Sequence, residues 1–591
     1  MCGICGICNP RGVETSLVEK MTHIMFHRGP DSGGTWLNDA RTLALGNRRL
    51  AVIDLDPRSN QPLHYPERGL SITFNGEIYN YTEPRKELEA LGHKFRTHSD
   101  TEVVLHGYAE WGFDAIHKFR GMFAFALWDD NKKLLWVARD RLGVKPVIYY
   151  HQGDVFAFAS EIQQFSQCEQ FKLSDDVSAL YDTLTYGYIP SPKTAFKELR
   201  KLEAGHYLVW QDNKLRDVKY WDVTEFGTNR ISANDAISLI REQLEQAIAL
   251  RLVSDVPVGT LLSGGIDSSC VTWYAQKNAD HPLYTFSIGF DEHSELEFAK
   301  IVADAVKSNH VVRHYDVASA KEDFARWMFL YGEPHGDSSI FPTTLVSQMA
   351  REKVTVALSG DGGDEIFWGY KRYQHFAEHN GQHGFPLRGA FRDFVHKYYP
   401  FMSKGRIRSQ LYLLDDFELW CVLMGGFPKA DKERLLNAEL LREFRDYDDY
   451  WSWRRFWKSE LPLATRLQYL DLKTYLPDDI MVKVDRASMA VSLEAREPLL
   501  DHKLVEAAFA LPDKLRSDGK TLKLIFKQAM RGVLPESILS KPKKGFSIPW
   551  MTWVKSMPDF AQQRGDGGFF KRGLSLPPNY TVLVLQQWLK R

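Results

Sequence analysis

Val258-Gly259-Thr260-Leu261-Leu262-Ser263-Gly264-Gly265-Ile266-Asp267-Ser268-Ser269 places two glycines between an apolar run and a run with helical spacing. The first part reads as a buried strand, and the helix is expected from Asp267 onward. Such a turn offers backbone N–H groups and two hydroxyls at a helix N-terminus. Those amides and the positive end of the helix dipole favour an anion, and the glycines let a phosphate come close. Asp267 is ill suited to touch phosphate and well suited to hold magnesium beside it, because hard cations take carboxylate oxygen. The Gly-x-x-x-x-Gly-Lys-Ser/Thr pattern of γ-phosphoryl transfer is missing. An ordinary glycine-serine turn is the rival reading.

Ser-Gly-Gly-x-Asp-Ser, from Ser263 to Ser268, is narrower than that rival. It resembles the pyrophosphate loop of the N-type ATP pyrophosphatases, which cleave ATP to AMP and pyrophosphate while activating a carboxylate or carbonyl oxygen. Downstream, helices and strands alternate: strand Leu283 to Ile288, helix Glu295 to Val306, strand His310 to Tyr315, helix Lys321 to Met328, helix Ile340 to Arg351, strand Val354 to Leu358. This alternation predicts a doubly wound parallel sheet with ligands at the carboxyl ends of its strands. The last of these strands runs into Ser359-Gly360-Asp361-Gly362-Gly363-Asp364-Glu365. Carboxylates so crowded repel one another unless a cation or a basic side chain sits among them. The spacing is not that of an EF-hand calcium loop.

Length and composition bound the alternatives. At 591 residues the chain exceeds one core and suggests two to four domains. With 75 Lys+Arg against 76 Asp+Glu it gives no electrostatic case for nucleic acid or anionic membrane. No apolar run approaches the ~20 residues of a membrane helix, and no secretory leader is evident, so a cytoplasmic enzyme is expected. Six cysteines are too few for a disulfide framework. Cys2, Cys5 and Cys8 have metal-like spacing but no fourth ligand nearby, so Cys5 and Cys8 are assigned to the core.

Upstream the pattern is β-rich. Loss of Met1 would leave Cys2 with its own free α-amino group, placing thiol and base on one residue. Polar clusters follow between strands: His27-Arg28-Gly29-Pro30-Asp31; Arg49, with Ile53 close behind; the strand Leu70 to Phe74 running into Asn75-Gly76-Glu77; and Ser99-Asp100-Thr101-Glu102 opening a helix. Taken singly, Asn75-Gly76 could be a hairpin turn and Asp100 a helix cap. A hairpin is expected from Met122 to Ala138 and a further strand from Val155 to Ala159.

In these motifs the chain resembles the class II glutamine amidotransferase domain, an N-terminal-nucleophile hydrolase built as two antiparallel sheets between helix layers. The resemblance implies that Cys2 attacks the side-chain amide of glutamine while its α-amino group relays the proton. Asn75 and the N–H of Gly76 would form the oxyanion hole. Arg49, beside Ile53, would clamp the α-carboxylate, and Glu77 and Asp100 would hold the α-ammonium. Arg28 and Asp31 are expected to serve an ion pair or turn.

The order of motifs after the boundary resembles the synthetase domain of the glutamine-hydrolysing asparagine synthetases. The expected division is residues 1–222 and 223–591, with helical additions to the second sheet. The resemblance implies that Asp267 and Asp364 bind Mg2+, that Ser263, Gly264, Gly265 and Ser268 hold pyrophosphate, and that Leu262, Ile288, Ser359 and Gly360 line the ATP site. Lys543, in Lys541-Pro542-Lys543-Lys544-Gly545-Phe546, matches the lysine that steadies the phosphates. Asp337, Asp361 and Asp485 are the acceptor-side candidates. The aromatic-rich stretch from Phe367 to Trp457 reads as helical and could also shape the acceptor pocket. The best-known members carry Glu in place of Asp361, at the position thought to help deprotonate ammonia. Many bacterial relatives, some amidating other carboxylates, carry Asp.

The expected partners are glutamine, ATP and a carboxylate acceptor, with aspartate leading and a homodimer as the candidate assembly. A uronic-acid sugar or a peptide carboxylate is the alternative acceptor. A tRNA-modifying ATP pyrophosphatase is a second alternative, and leaves the first half unexplained. Between the two sites a dry passage for ammonia is the physical expectation.

Overall fold

The computed structural model describes residues 2–225, 230–290, 295–315, 326–380, 415–543 and 563–591. Most of the helix expected over 321–328, the middle of the aromatic stretch and Lys544-Gly545-Phe546 lie outside the described residues.

Two six-stranded sheets form the first half. One runs Leu199–Lys201, Ile148–Gln152, Val155–Ala159, Cys2–Cys8, Leu43–Arg49, Ser32–Leu37; the other runs Lys214–Lys219, His206–Gln211, Leu134–Arg139, Gly121–Asp129, Leu70–Ile78, Leu63–Tyr65. All their pairings are antiparallel. Inward-facing alternate residues such as Ile4, Leu45, Ala126, Val137 and Phe158 fill the space between the sheets. Helix Thr15–Ile24 buries Val18 and Met21 on the outside of the first sheet, and helix Asp100–Trp111 covers the second. The result is the four-layered helix-sheet-sheet-helix arrangement expected from the motifs, with more helix than the strand pattern alone suggests.

Strand Leu70–Ile78 extends beyond the expected end at Phe74, so Asn75, Gly76 and Glu77 are strand residues and form no hairpin turn. They pair with Ala124, Phe123 and Met122 on the neighbouring strand. The pairing is close at Gly76, whose φ is +150°. A Cβ there would lie 2.1 Å from the Met122 carbonyl oxygen, so only glycine fits.

The second half is built on a five-stranded parallel sheet ordered Asn309–Tyr315, Tyr284–Phe290, Val258–Leu261, Val356–Leu358, Glu494–Arg496. The first three strands step outward from Val258–Leu261 to one side, and the next two step to the other. Ligands in doubly wound sheets bind at this reversal, outside the carboxyl ends of the strands. The loops after Val258–Leu261 and Val356–Leu358 meet there, and Gly360 lets them: a Cβ would fall 2.6 Å from the Ser268 nitrogen. The fifth strand was not expected. It has three buried residues, two of them charged, and no apolar alternation to reveal it. No helix among the described residues is long and apolar enough to cross a membrane.

Phe158 is fully buried between the antiparallel sheets. Phe158→Ala is expected to destabilise the fold by about 3–5 kcal/mol, read as a lower urea midpoint with the slope unchanged.

Candidate active sites

The pocket of the first half is assembled from strand ends. Cys2 opens its strand opposite Arg49, is 6% exposed, and its backbone nitrogen donates to Asn75 Oδ1 at 2.9 Å. Asn75 is fully buried, and its Nδ2 has no hydrogen-bond partner among the described residues. An orphaned amide donor on the residue that Cys2 bonds through its backbone is the arrangement an oxyanion would complete. Burial pushes the Cys2 thiol up, and Arg49 is among the groups that oppose it.

Arg49 is held in place, not left on the surface. Its guanidinium donates to the carbonyls of Ile53, at 3.0 Å, and Asp54, at 2.5 Å, and to Asn60 Oδ1 at 3.0 Å. Glu77 is buried with Oε2 unpartnered among the described residues, and Oε1 is 3.9 Å from Arg496. Burial, Glu494 and Asp100 together raise the Glu77 carboxyl well above its usual range. Asp100 begins its helix behind the Ser99 cap, accepts from the Ile78 N–H at 2.8 Å, and is pushed by burial up to about 6. Two carboxyls so crowded invite a cationic group between them. Glu494 and Arg496, 2.6 Å apart, come from the unexpected fifth strand of the other half.

The second site is a cavity of about 1040 Å³ at the sheet reversal. Leu262, Ser263, Gly265, Asp267, Ser268, Ile288, Asp337, Ser359, Gly360, Asp361, Asp364 and Lys543 line it. Gly264 stands behind the wall at φ +73°, and Lys541 donates to its carbonyl at 3.1 Å. The Ser263 and Ser268 hydroxyls are 3.0 Å apart at the start of helix Ile266–Asn278. Lys523 answers the repulsion foreseen among the acids: its ammonium bonds Asp267 Oδ2 and lies 2.7 Å from Asp364 Oδ1, while Lys543 bonds Asp364 Oδ2. Against the cost of burial, these lysines hold Asp364 below the usual carboxylate range; burial raises Asp267, with Lys523 opposing.

Sequence reasoning missed Lys523. It is 3% exposed, sits at φ +57°, and precedes helix Leu524–Met530, so a side chain that usually marks a surface is forced inward by an uncommon backbone conformation. Lys483 was missed too: it is 7% exposed, lines the same cavity and has its ammonium 3.9 Å from Asp361 Oδ1.

Comparison with known proteins agrees with this geometry. A family model described as asparagine synthase matches residues 239–573, and one described as a glutamine amidotransferase domain matches residues 1–221. The asparagine synthetase [glutamine-hydrolyzing] 1 of Bacillus subtilis is 32% identical, covering 94% of this chain and 88% of its own. A Methanocaldococcus jannaschii relative, whose name as an asparagine synthetase is marked provisional, is 35% identical over 83% of this chain and 98% of its own. The asparagine synthetase 3 of Bacillus subtilis is 31% identical over 95% and 91%.

The chain belongs to the glutamine-hydrolysing asparagine synthetase family. It is an ATP-dependent glutamine amidotransferase and a carbon–nitrogen ligase.

One expected site residue of this synthetase lies elsewhere. Asp485 was an acceptor-side candidate, but it is not on the cavity wall. Both its carboxylate oxygens accept from Arg28, each at 2.8 Å. Arg28, fully buried, also donates to Glu161 and, at 3.0 Å, to the Cys2 carbonyl. The ion-pair role expected of Arg28 is therefore met by a residue of the opposite half, which outbids any acceptor for Asp485. Asp31 accepts from the Ala51 N–H at 2.9 Å and serves its turn. Cys5 and Cys8 are buried core residues with free thiols.

Despite burial, Arg28 and Arg486 keep Asp485 below the usual carboxylate range. A depressed carboxylate contributes stability above its unfolded pKa and loses it as pH falls through the folded value. Asp485→Ala is expected to cost about 3–5 kcal/mol at neutral pH. The difference from the unsubstituted protein should shrink below about pH 4, read by denaturant unfolding at the two pH values.

Proposed function

We propose that the chain makes an amide in two coupled steps, with aspartate as acceptor and asparagine, glutamate, AMP and pyrophosphate as products. Residues 1–222 form the glutaminase unit of this reading and residues 223–591 the adenylating unit. Cys2 attacks the glutamine amide, and Asn75 Nδ2 and the Gly76 N–H take the charge on the carbonyl oxygen. Arg49 orients the α-carboxylate, and Glu77 and Asp100 orient the α-ammonium. With Met1 removed, the α-amino group of Cys2 carries the thiol proton to the leaving ammonia.

At the second site Ser263, Gly264, Gly265 and Ser268 hold the pyrophosphate part of ATP, and Leu262, Ile288, Ser359 and Gly360 the rest. Lys523 and Lys543 stabilise charge on the phosphates as the acceptor carboxylate attacks. Asp267 and Asp364 would hold Mg2+, which when bound neutralises phosphate charge. The residues fit it: Asp267 Oδ1 is buried without a hydrogen-bond partner among the described residues. Among the described residues no three His, Cys, Asp or Glu side chains are grouped closely enough to hold a metal ion by themselves. Two carboxylates suit a cation that completes its shell with phosphate oxygens and water.

The observation that carries the choice of aspartate is that Lys483, Asp337 and Asp361 line the same cavity, with the Lys483 ammonium 3.9 Å from Asp361 Oδ1. A small acceptor with an α-carboxylate and an α-ammonium needs one base and a pair of acids. In this reading Asp361 also receives a proton from the attacking ammonia. A cytoplasmic setting and a homodimer complete the reading.

Cys2→Ala is expected to abolish amide formation from glutamine and to spare amide formation from ammonium chloride. Full glutamine hydrolysis in Cys2→Ala would exclude this nucleophile. In an acceptor screen read by pyrophosphate release, aspartate should respond, and release with a sugar acid alone would exclude it. Chelation of divalent cations should stop ATP cleavage and leave glutamine hydrolysis intact.

A further inference from the structure

Between the two sites lies a small cavity that belongs to neither. Its volume is about 10 Å³, room for one water-sized molecule. Gly121 and Met122 line one side, opposite Ile78 and Glu77 in the strand that carries Asn75. Leu500 lines the other side. A Cβ on Gly362, a residue of the adenylating cavity, would meet Leu500 Cδ2 at 2.2 Å. Residues around this space are thus one step from the glutamine pocket, through Met122 and Glu77, and one step from the ATP cavity, through Leu500 and Gly362.

Glu497 also lines it. The residue directly follows the strand Glu494–Arg496 and is 2% exposed. Neither of its carboxylate oxygens has a hydrogen-bond partner among the described residues. The Tyr79 hydroxyl and the Arg251 Nε, on the same wall, are likewise buried without partners there. Buried polar groups are nearly always bonded, so three orphans around one small space call for a small polar guest.

We propose that Glu497 is a hydrogen-bonding station for ammonia passing from the glutamine pocket to the adenylating cavity, an inference that rests on the two-site reading above. Ammonia matches water in size, accepts one hydrogen bond through its lone pair and donates three. Burial pushes the Glu497 carboxyl up to about 8; Lys145 and Arg251 oppose that rise, and Asp361 and Asp485 reinforce it. Asp140, Arg141 and His502 complete the charged and titratable wall. Below that pH the carboxyl is neutral, and its O–H donates to the ammonia lone pair. Above it the carboxyl has lost that proton to solvent, has no O–H to give to the lone pair, and the donor that held ammonia in the passage is gone. The Glu497 station is thus uncharged near neutrality without being apolar.

The test compares the unsubstituted enzyme with Glu497→Gln and Glu497→Val, supplied with glutamine, ATP-Mg and the acceptor the screen identifies. Amide formed per glutamate released is read from about pH 6.5 to about 9.5, with a parallel series on ammonium chloride. The ratio cancels the pH dependence of glutamine hydrolysis itself. It should fall as pH rises through about 8 in the unsubstituted enzyme. In Glu497→Gln, whose amide cannot ionise, it should stay flat. In Glu497→Val it should be about fivefold lower near neutral pH, with free ammonia appearing in solution. A Glu497→Val ratio equal to that of the unsubstituted enzyme would overturn the proposal and leave the cavity a water pocket. An equal loss in the ammonium chloride series would also overturn it, by placing the effect of Glu497 in the synthetase fold. An unsubstituted enzyme that makes no amide from either nitrogen source would remove the two-site reading, and the station with it.

Discussion

Two arginines of the first half end on carboxylates of the second, and the position of each site relative to the other depends on them. Arg28 grips Asp485 through two hydrogen bonds of 2.8 Å, and Arg120 grips Asp501 at 2.8 and 2.9 Å. Buried pairs of this kind add little net stability, because the loss of water offsets the attraction. Their effect is on geometry: a shifted interface would strand a charge in a dry environment. Arg28 also holds the Cys2 carbonyl, and Asp485 lies two residues after Lys483 in the same helix. The strand that begins at Cys2 and the helix that carries Lys483 are therefore referred to the same ion pair.

The fifth strand of the parallel sheet completes that seam. Glu494 pairs its backbone with Val356, at the start of the strand leading to the adenylating loop, while the side chains of Glu494 and Arg496 bear on Glu77. The next residue is Glu497. Within four positions the chain thus passes from the glutamine pocket to the space between the sites. This also explains why the acidic loop Ser359 to Glu365 tolerates its own charge: the lysines that neutralise it arrive from Lys483, Lys523 and Lys543, all later in the chain.

What could be read from sequence follows from this division. Gly76, Gly264 and Gly360 mark places where backbone needs an unusual angle or a close neighbour, and such needs are local, so the motifs around them were legible. The alternation of strands and helices in the second half was legible for the same reason, while the order of its strands was not. Asp485 was not, because its charge could be seen but its partner, 457 positions away, could not. Lys523 and Glu497 belong to no motif and went unremarked; only the assembled fold buries them. The strand Glu494–Arg496 was hidden because its side chains serve charge pairing and leave no hydrophobic period.

The last helix, Tyr580–Leu589, packs against helix Val177–Tyr186 of the first half, and Leu585 and Trp588 share a core with Leu180 and Leu184. The polypeptide therefore closes on itself like a belt, with its tail buckled to a region laid down nearly four hundred residues earlier. A wide swing of one half away from the other would have to tear an apolar layer as well as the ionic seam. The two halves are thus tied at both ends of the described chain, by the Arg28–Asp485 pair near its start and by this apolar layer near its finish.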